Sequence, residues 1–100
     1  MSERISTVVL LEVEPGKRAE VEGHIARFCD EVAAKDPGTE AYIVVRATGE
    51  GNDDTLAMFE EFRDAAAVAA HGEMAAELTE TLRPLLRQVT VVTGPAVSRK

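Results

Sequence analysis

Glu60-Glu61-Phe62-Arg63-Asp64-Ala65-Ala66-Ala67-Val68-Ala69-Ala70-His71 reads as the end of an apolar strand, a polar corner and a short alanine-rich helix that delivers a histidine. The strand begins upstream at Thr55, and its alternation puts Leu56, Met58, Glu60 and Phe62 on one face. Asp64 is placed to cap a helix over Ala65–His71, because its carboxylate can accept from the first free backbone N–H groups.

Downstream, Met74, Leu78 and Leu82 recur four apart, which predicts a helix over Glu73–Leu82 that Pro84 ends or kinks. Val89–Thr93 is the last strand, closed by Gly94-Pro95. Upstream, Gly49–Asp54 is a hairpin-type loop and Ala41–Thr48 a strand. Asp36-Pro37-Gly38 is a turn, since Pro presets one backbone angle and Gly accepts the unusual one. Lys17–Ala34 carries Val21, Ile25, Phe28, Cys29 and Val32 on a helical stripe. Ile5–Val13 is a first strand, broken by Glu14-Pro15-Gly16.

The order is β-α-β-β-α-β, with the second helical region in two pieces. It defines an α+β, ferredoxin-like fold, an antiparallel sheet with helices on one face, as a single domain over residues 1–100. Both faces of the strands are apolar. In the first strand Val8 and Leu10 oppose Val9, Leu11 and Val13; in the second Tyr42 and Val44 oppose Ile43 and Val45. Helices cover one face, so the other needs a partner, and a homodimer with sheets packed face to face is expected.

Composition narrows the function classes. The apolar fraction of 45% fits a globular chain, and with three Phe, one Tyr and no Trp the core must be aliphatic. A formal charge of −7 repels phosphate backbones, so no nucleic-acid partner is expected. No apolar run approaches the roughly 20 residues needed to span a bilayer. The start Met1-Ser2-Glu3-Arg4 lacks a signal-peptide pattern, and the lone Cys29 excludes an intrachain disulfide. A cytoplasmic protein away from membranes is the expectation.

A ferredoxin-like order with Pro37-Gly38-Thr39 before the second strand, and Glu60-x-Phe62 nine residues ahead of His71, resembles the antibiotic biosynthesis monooxygenase (ABM) domain family. The resemblance spans roughly residues 5 to 97. It implies a dimeric α+β barrel and oxygenation of quinols, anthrones or polyketide-like phenols without metal or flavin; one branch of the family degrades haem. The family's usual pattern has Trp where this chain has Phe62. The oxygenases also place an Asn in the pocket, whereas the sole Asn here, Asn52, falls in the predicted hairpin loop. Of the haem-degrading set of Asn, Trp and His, this chain offers His71, the residue the motif carries over directly.

Cofactor-free oxygenation asks the protein to take a proton from an electron-rich substrate, hold the anion in a dry pocket and admit O₂. His71 is the candidate base or hydrogen-bonding group, because histidine titrates near neutrality. Phe62, Met58, Tyr42 and Met74 are candidate pocket residues for a small aromatic substrate, and Glu60 is placed to orient a polar group. The plainer alternatives are specific. His71 would cap a helix C-terminus. Phe62, Met58 and Met74 would be core. Glu60 would pair with Arg46 or Arg63, and Tyr42 would lie at the sheet edge. A non-catalytic binding or accessory dimer, and an isomerase or cyclase using His71 for proton transfer alone, are the alternative functions.

His24 flanks the first helix's stripe, and Cys29 reads as a small buried hydrophobe. Neither histidine has zinc-ligand spacing, Gly49-x-Gly51 lacks the third glycine of a dinucleotide loop, and Asp53-Asp54 lack calcium-loop spacing, so no cofactor or metal is expected. No Gly-x-Ser-x-Gly motif occurs.

Overall fold

A computed structural model describes residues 3–100; Met1 and Ser2 of the N-terminal reading lie outside the described residues. The elements are β1 (Ile5–Val13), α1 (Arg18–Lys35), β2 (Thr39–Arg46), β3 (Thr55–Phe62), α2 (Ala65–Met74), α3 (Ala76–Leu82), a single 3₁₀ turn (Arg83–Leu85) and β4 (Leu86–Gly94). The strands form one antiparallel sheet in the order β2-β3-β1-β4, the ferredoxin-like arrangement.

The β-branched and leucine-rich run of β1 takes a central place, paired on both sides. Val9, Leu11 and Val13 on its helix side pack with Leu56 of β3, Val21 and Ile25 of α1, and Leu82 of α3. Burying these aliphatic side chains is the main stabilising term, about 1.5–3 kcal/mol for each Val, Leu or Ile fully withdrawn from water. The opposite face stays open: Val8, Leu10, Ile43, Val45, Phe59 and Val92 are exposed.

Several boundaries differ from the sequence reading: α1 is shifted by one residue at each end, β2 ends at Arg46 and not Thr48, and three further shifts have a physical reason. β2 starts two residues earlier, because the Asp36–Thr39 turn closes at once (Thr39 N donates to Asp36 O, 3.1 Å) and Gly38 O then accepts from Arg63 N at 2.8 Å. The helix carrying His71 does not stop at Gly72. It continues to Met74, so Glu73 and Met74 belong to it and α3 starts only at Ala76. Gly72 faces open space, and a glycine there weakens the helix without blocking it. β4 also runs longer, Leu86–Gly94 in place of Val89–Thr93, since it extends along the whole of β1.

Gly38 fixes how the turn meets α2. A Cβ at this position would lie 2.6 Å from the Ala67 Cβ, closer than side-chain carbons pack. Glycine therefore permits a close approach of the turn to the helix, and this approach places the residues around it at His71.

Candidate functional site

Asp64 accepts from Ala67 N at 2.8 Å and caps α2 as its residue type predicts. His71 sits in the last turn of that helix, with its ring between the start of β2 and the end of β3. The ring does not cap the helix; the His71 carbonyl accepts from Ala75 N at 2.8 Å.

Two carboxylates hold the imidazole. Asp36 Oδ2 lies 2.8 Å from Nδ1, and Glu60 Oε1 lies 3.1 Å from Nε2. The Thr39 hydroxyl donates to the same Asp36 oxygen at 2.7 Å and stands 3.2 Å from Nδ1. His71, Asp36 and Glu60 are 8%, 7% and 6% exposed, so this is a buried charged triad. Its polar atoms are paired, as burial of charge demands.

Aromatic rings close the space around it. The centroids of Phe62, Phe28 and Tyr42 lie 5.1, 5.5 and 5.8 Å from that of His71. The Phe62 and Phe28 contacts are edge-to-face and the Tyr42 contact is tilted, favourable arrangements for packed rings. The Tyr42 hydroxyl donates to Met58 Sδ at 3.7 Å.

Electrostatics decide the protonation state. Burial by itself pushes the His71 pKa down, but the hydrogen bonds and charges of Glu60 and Asp36 outweigh it, and the net shift is upward. The protonated ring, which can donate from both nitrogens, is therefore favoured more than in a free histidine. Burial, then the negative charge of Glu60, pushes the Tyr42 phenol well above its ordinary value. Both ring nitrogens are engaged by carboxylate oxygens, so proton exchange at this site runs through Asp36 or Glu60.

Of the residues read from sequence, Glu60, Phe62 and Tyr42 surround His71, and Met58 joins through Tyr42. Met74 borders a separate hollow of about 240 Å³ with His24, Arg27, Glu31 and Glu77. Glu60 does not pair with an arginine: Arg46 binds Glu22 at 2.5 Å, and Arg63 stands 3.7 Å from Asp64. Cys29 is half-buried, not fully buried. It lines a cleft of about 340 Å³ between α1 and β2 with Ile25, Val44, Leu56, Glu22 and Arg46. His71 lines neither of these two spaces.

Sequence reasoning missed Asp36, Thr39 and Phe28. Asp36 served the turn reading so well that its carboxylate drew no second use. The one available signal was an Asp and a Thr flanking Pro37-Gly38. Among the described residues no group of three or more His, Cys, Asp or Glu is arranged to hold a metal ion; Asp36 and Glu60 aim at the imidazole instead.

Fold and site together define an α+β domain with a buried carboxylate–imidazolium–carboxylate triad between its sheet and helices. The family model for antibiotic biosynthesis monooxygenases matches residues 4–76, and the chain belongs to that family. None of the curated proteins matches it in sequence. Solved structures match over nearly the whole chain. A candidate antibiotic biosynthesis monooxygenase from Caulobacter crescentus is 22% identical with a TM-score of 0.86, over 97% of this chain and 92% of that one. A protein of unknown function from Nitrosomonas europaea is 24% identical with a TM-score of 0.79, over 99% and 94%. A conserved protein from Methanosarcina mazei is 22% identical with a TM-score of 0.81, over 94% and 93%. At these identities the likeness speaks for the fold alone. No helix among the described residues is long and apolar enough to cross a membrane.

Proposed function

We propose that this protein is a cytoplasmic homodimer that oxidises a quinol or polycyclic phenol with O₂, without metal or flavin. The observation carrying the reading is the buried Asp36–His71–Glu60 triad, flanked by Tyr42 and Phe62. Burying two carboxylates and a cation opposes folding unless every group is paired, and strongly perturbed groups of this kind concentrate at functional sites.

The substrate approaches through the cleft between α1 and β2, whose apolar floor of Ile25, Val44 and Leu56 suits a ring system. Val44 of that cleft is two residues from Tyr42 on the same face of β2. Glu60 takes the phenolic proton. His71 stays an imidazolium, held by Asp36, and its Nε2–H keeps Glu60 in place. The resulting electron-rich anion reduces O₂. A ring C–H becomes a quinone carbonyl, one oxygen atom enters the product, the other leaves as water, and the substrate supplies all four electrons. The base role expected of His71 thus passes to the pair it forms with Glu60. The apolar open face of the sheet supports the homodimer, and the lone cysteine fits a reducing compartment.

Oxygen uptake in chelator-treated buffer with a panel of quinols and anthrones, read with ¹⁸O₂, tests the proposal. One labelled atom per product is expected, with turnover lost in a folded Glu60→Gln variant. Wild-type-like turnover by a folded His71→Ala variant would sink the role given to the triad.

A second reading has its own support. Three rings close around His71, and the clefts are lined by other residues. This favours an accessory dimer that binds a small molecule in the cleft between α1 and β2 and performs no chemistry. Binding of a panel member without oxygen uptake selects it. A product of unchanged oxygen content points to an isomerase or cyclase.

A further inference from the structure

The open sheet face is apolar at its centre and carries an acid at each end, Glu12 and Glu61. Each acid is matched by an arginine of the same chain. Arg87 stands 3.9 Å from Glu12, whose carboxylate also accepts from the Thr55 hydroxyl at 2.9 Å. Glu61 is met by Arg99, and the Ser6 hydroxyl lies 3.4 Å from the same carboxylate oxygen.

Glu61 is only 6% exposed, although the helices lie on the other side of the sheet. What covers it is the C-terminal segment. Residues 96–100 fold back over this end of the face and enclose, with Ser6, Ala41 and Phe59, a hollow of about 590 Å³. Val97 on that segment is fully exposed, an apolar side chain presented outward beside an apolar face.

We propose that the C-terminal segment is part of the interface with a second copy of this chain, and that Arg99 is the residue that makes the face fit to be buried. The inference rests on the homodimer reading and adds its determinant. A partner covering this face shuts out the solvent that could still reach Glu61, and without Arg99 it would bury an unpaired carboxylate, which is strongly unfavourable. Arg99 supplies the counter-charge before the partner arrives. Because both acids are neutralised within each copy, two identical faces related by a two-fold axis meet without like-charge repulsion, as an isologous interface requires. A partner of different sequence has no need for a face neutralised in this way. A basic partner would be matched by acids left free.

Sedimentation equilibrium on the full-length wild type, Arg99→Ala, Glu61→Gln and the double variant tests this. Arg99→Ala should raise the dimer dissociation constant at least about tenfold, because it leaves a carboxylate to be buried alone. The double variant should return to within a few-fold of wild type, since no charge is then stranded. Unchanged far-UV circular dichroism shows that the fold is intact in each. A wild-type dimer that Arg99→Ala leaves equally tight overturns the role of Arg99 and leaves the homodimer standing. A wild-type monomer at tens of micromolar overturns both.

Discussion

Glu60 and Glu61 are neighbours on β3, equally buried at 6%, and point to opposite faces of the sheet. Each needs a cation, and the molecule supplies it in two different ways. Glu60 meets an imidazolium fixed by a capped helix, by a second carboxylate 35 residues away in sequence and by a ring of aromatics. Glu61 meets one long side chain from the last residues of the chain, itself half exposed. The first arrangement is closed and over-determined, so its charges are part of the scaffold. The second depends on one flexible contact over a surface that remains open. Two identical residues side by side therefore serve a packed site on one face and a surface prepared for assembly on the other.

The sharpest way to break the comparison is His71→Ala. It strands two buried carboxylates opposite each other, and removing one partner from a buried ionic cluster costs about 3–5 kcal/mol. Urea unfolding at pH 7 should show a loss of that size. A loss below about 1 kcal/mol would mean that water reaches Asp36 and Glu60 and that the triad is not closed. The Glu61 side should behave differently: Glu61→Gln should leave unfolding of the isolated fold nearly unchanged, because its partner can swing into solvent.

Next in size is Gly38→Ala. Its Cβ would press on the Ala67 Cβ at 2.6 Å, and overpacking of this kind costs about 1–3 kcal/mol. The turn and α2 must separate, which draws Asp36 away from His71. The His71 ring resonances in an NMR spectrum should shift along with the lost stability. Stability lost without a ring shift would show that Gly38 serves packing only and does not position the triad.

The pH dependence follows from the raised pKa of His71. The folded value lies above the unfolded value near 6.5, so protonation favours the fold. That contribution is complete below about pH 6.5 and fades as pH rises through the folded value. The groups facing the ring are Asp36, Glu60, the Thr39 hydroxyl and the Tyr42 phenol, and the last stays protonated throughout this range. The wild-type melting temperature should decline from pH 6.5 upward, and His71→Gln should flatten the profile. A wild-type profile that rises over the same interval would contradict the assignment of an imidazolium.

The fold was legible because periodicity reports burial, and burial follows the two repeats of 2.0 and 3.6 residues. β3 matches its reading residue for residue, and the open apolar face follows from Val8 and Leu10 alternating with buried neighbours and Ile43 and Val45 with half-buried Tyr42 and Val44. The end of α2 was not legible, since Gly72 looks like a stop and is only a weak point. At the site, the strand face of Glu60 and Phe62 could be read because it depends on local alternation. The partners of His71 could not. Asp36 and Arg99 reach their targets across more than thirty residues, through a turn and a tail whose composition describes their own conformation and says nothing about where they land. Asp36-Pro37-Gly38 was a turn and a ligand at once, and the turn was the louder signal.

The smallest of these effects separates the helix from the charge it carries. Asp64→Ala removes the side-chain acceptor for Ala67 N, and loss of an N-cap costs about 1 kcal/mol. The penalty falls on the first turn of α2, whereas His71 sits in the last. If the triad is held by its own contacts, urea unfolding will register the lost cap while the His71 titration, followed by its ring proton shifts, keeps its raised midpoint. If the midpoint instead falls toward 6.5, fraying at Ala65 has propagated six residues to the ring, and the carboxylates do not anchor it. In that event the contrast between Glu60 and Glu61 narrows: both would lean on a single mobile cation, and the closed site would be only as firm as the helix that delivers it.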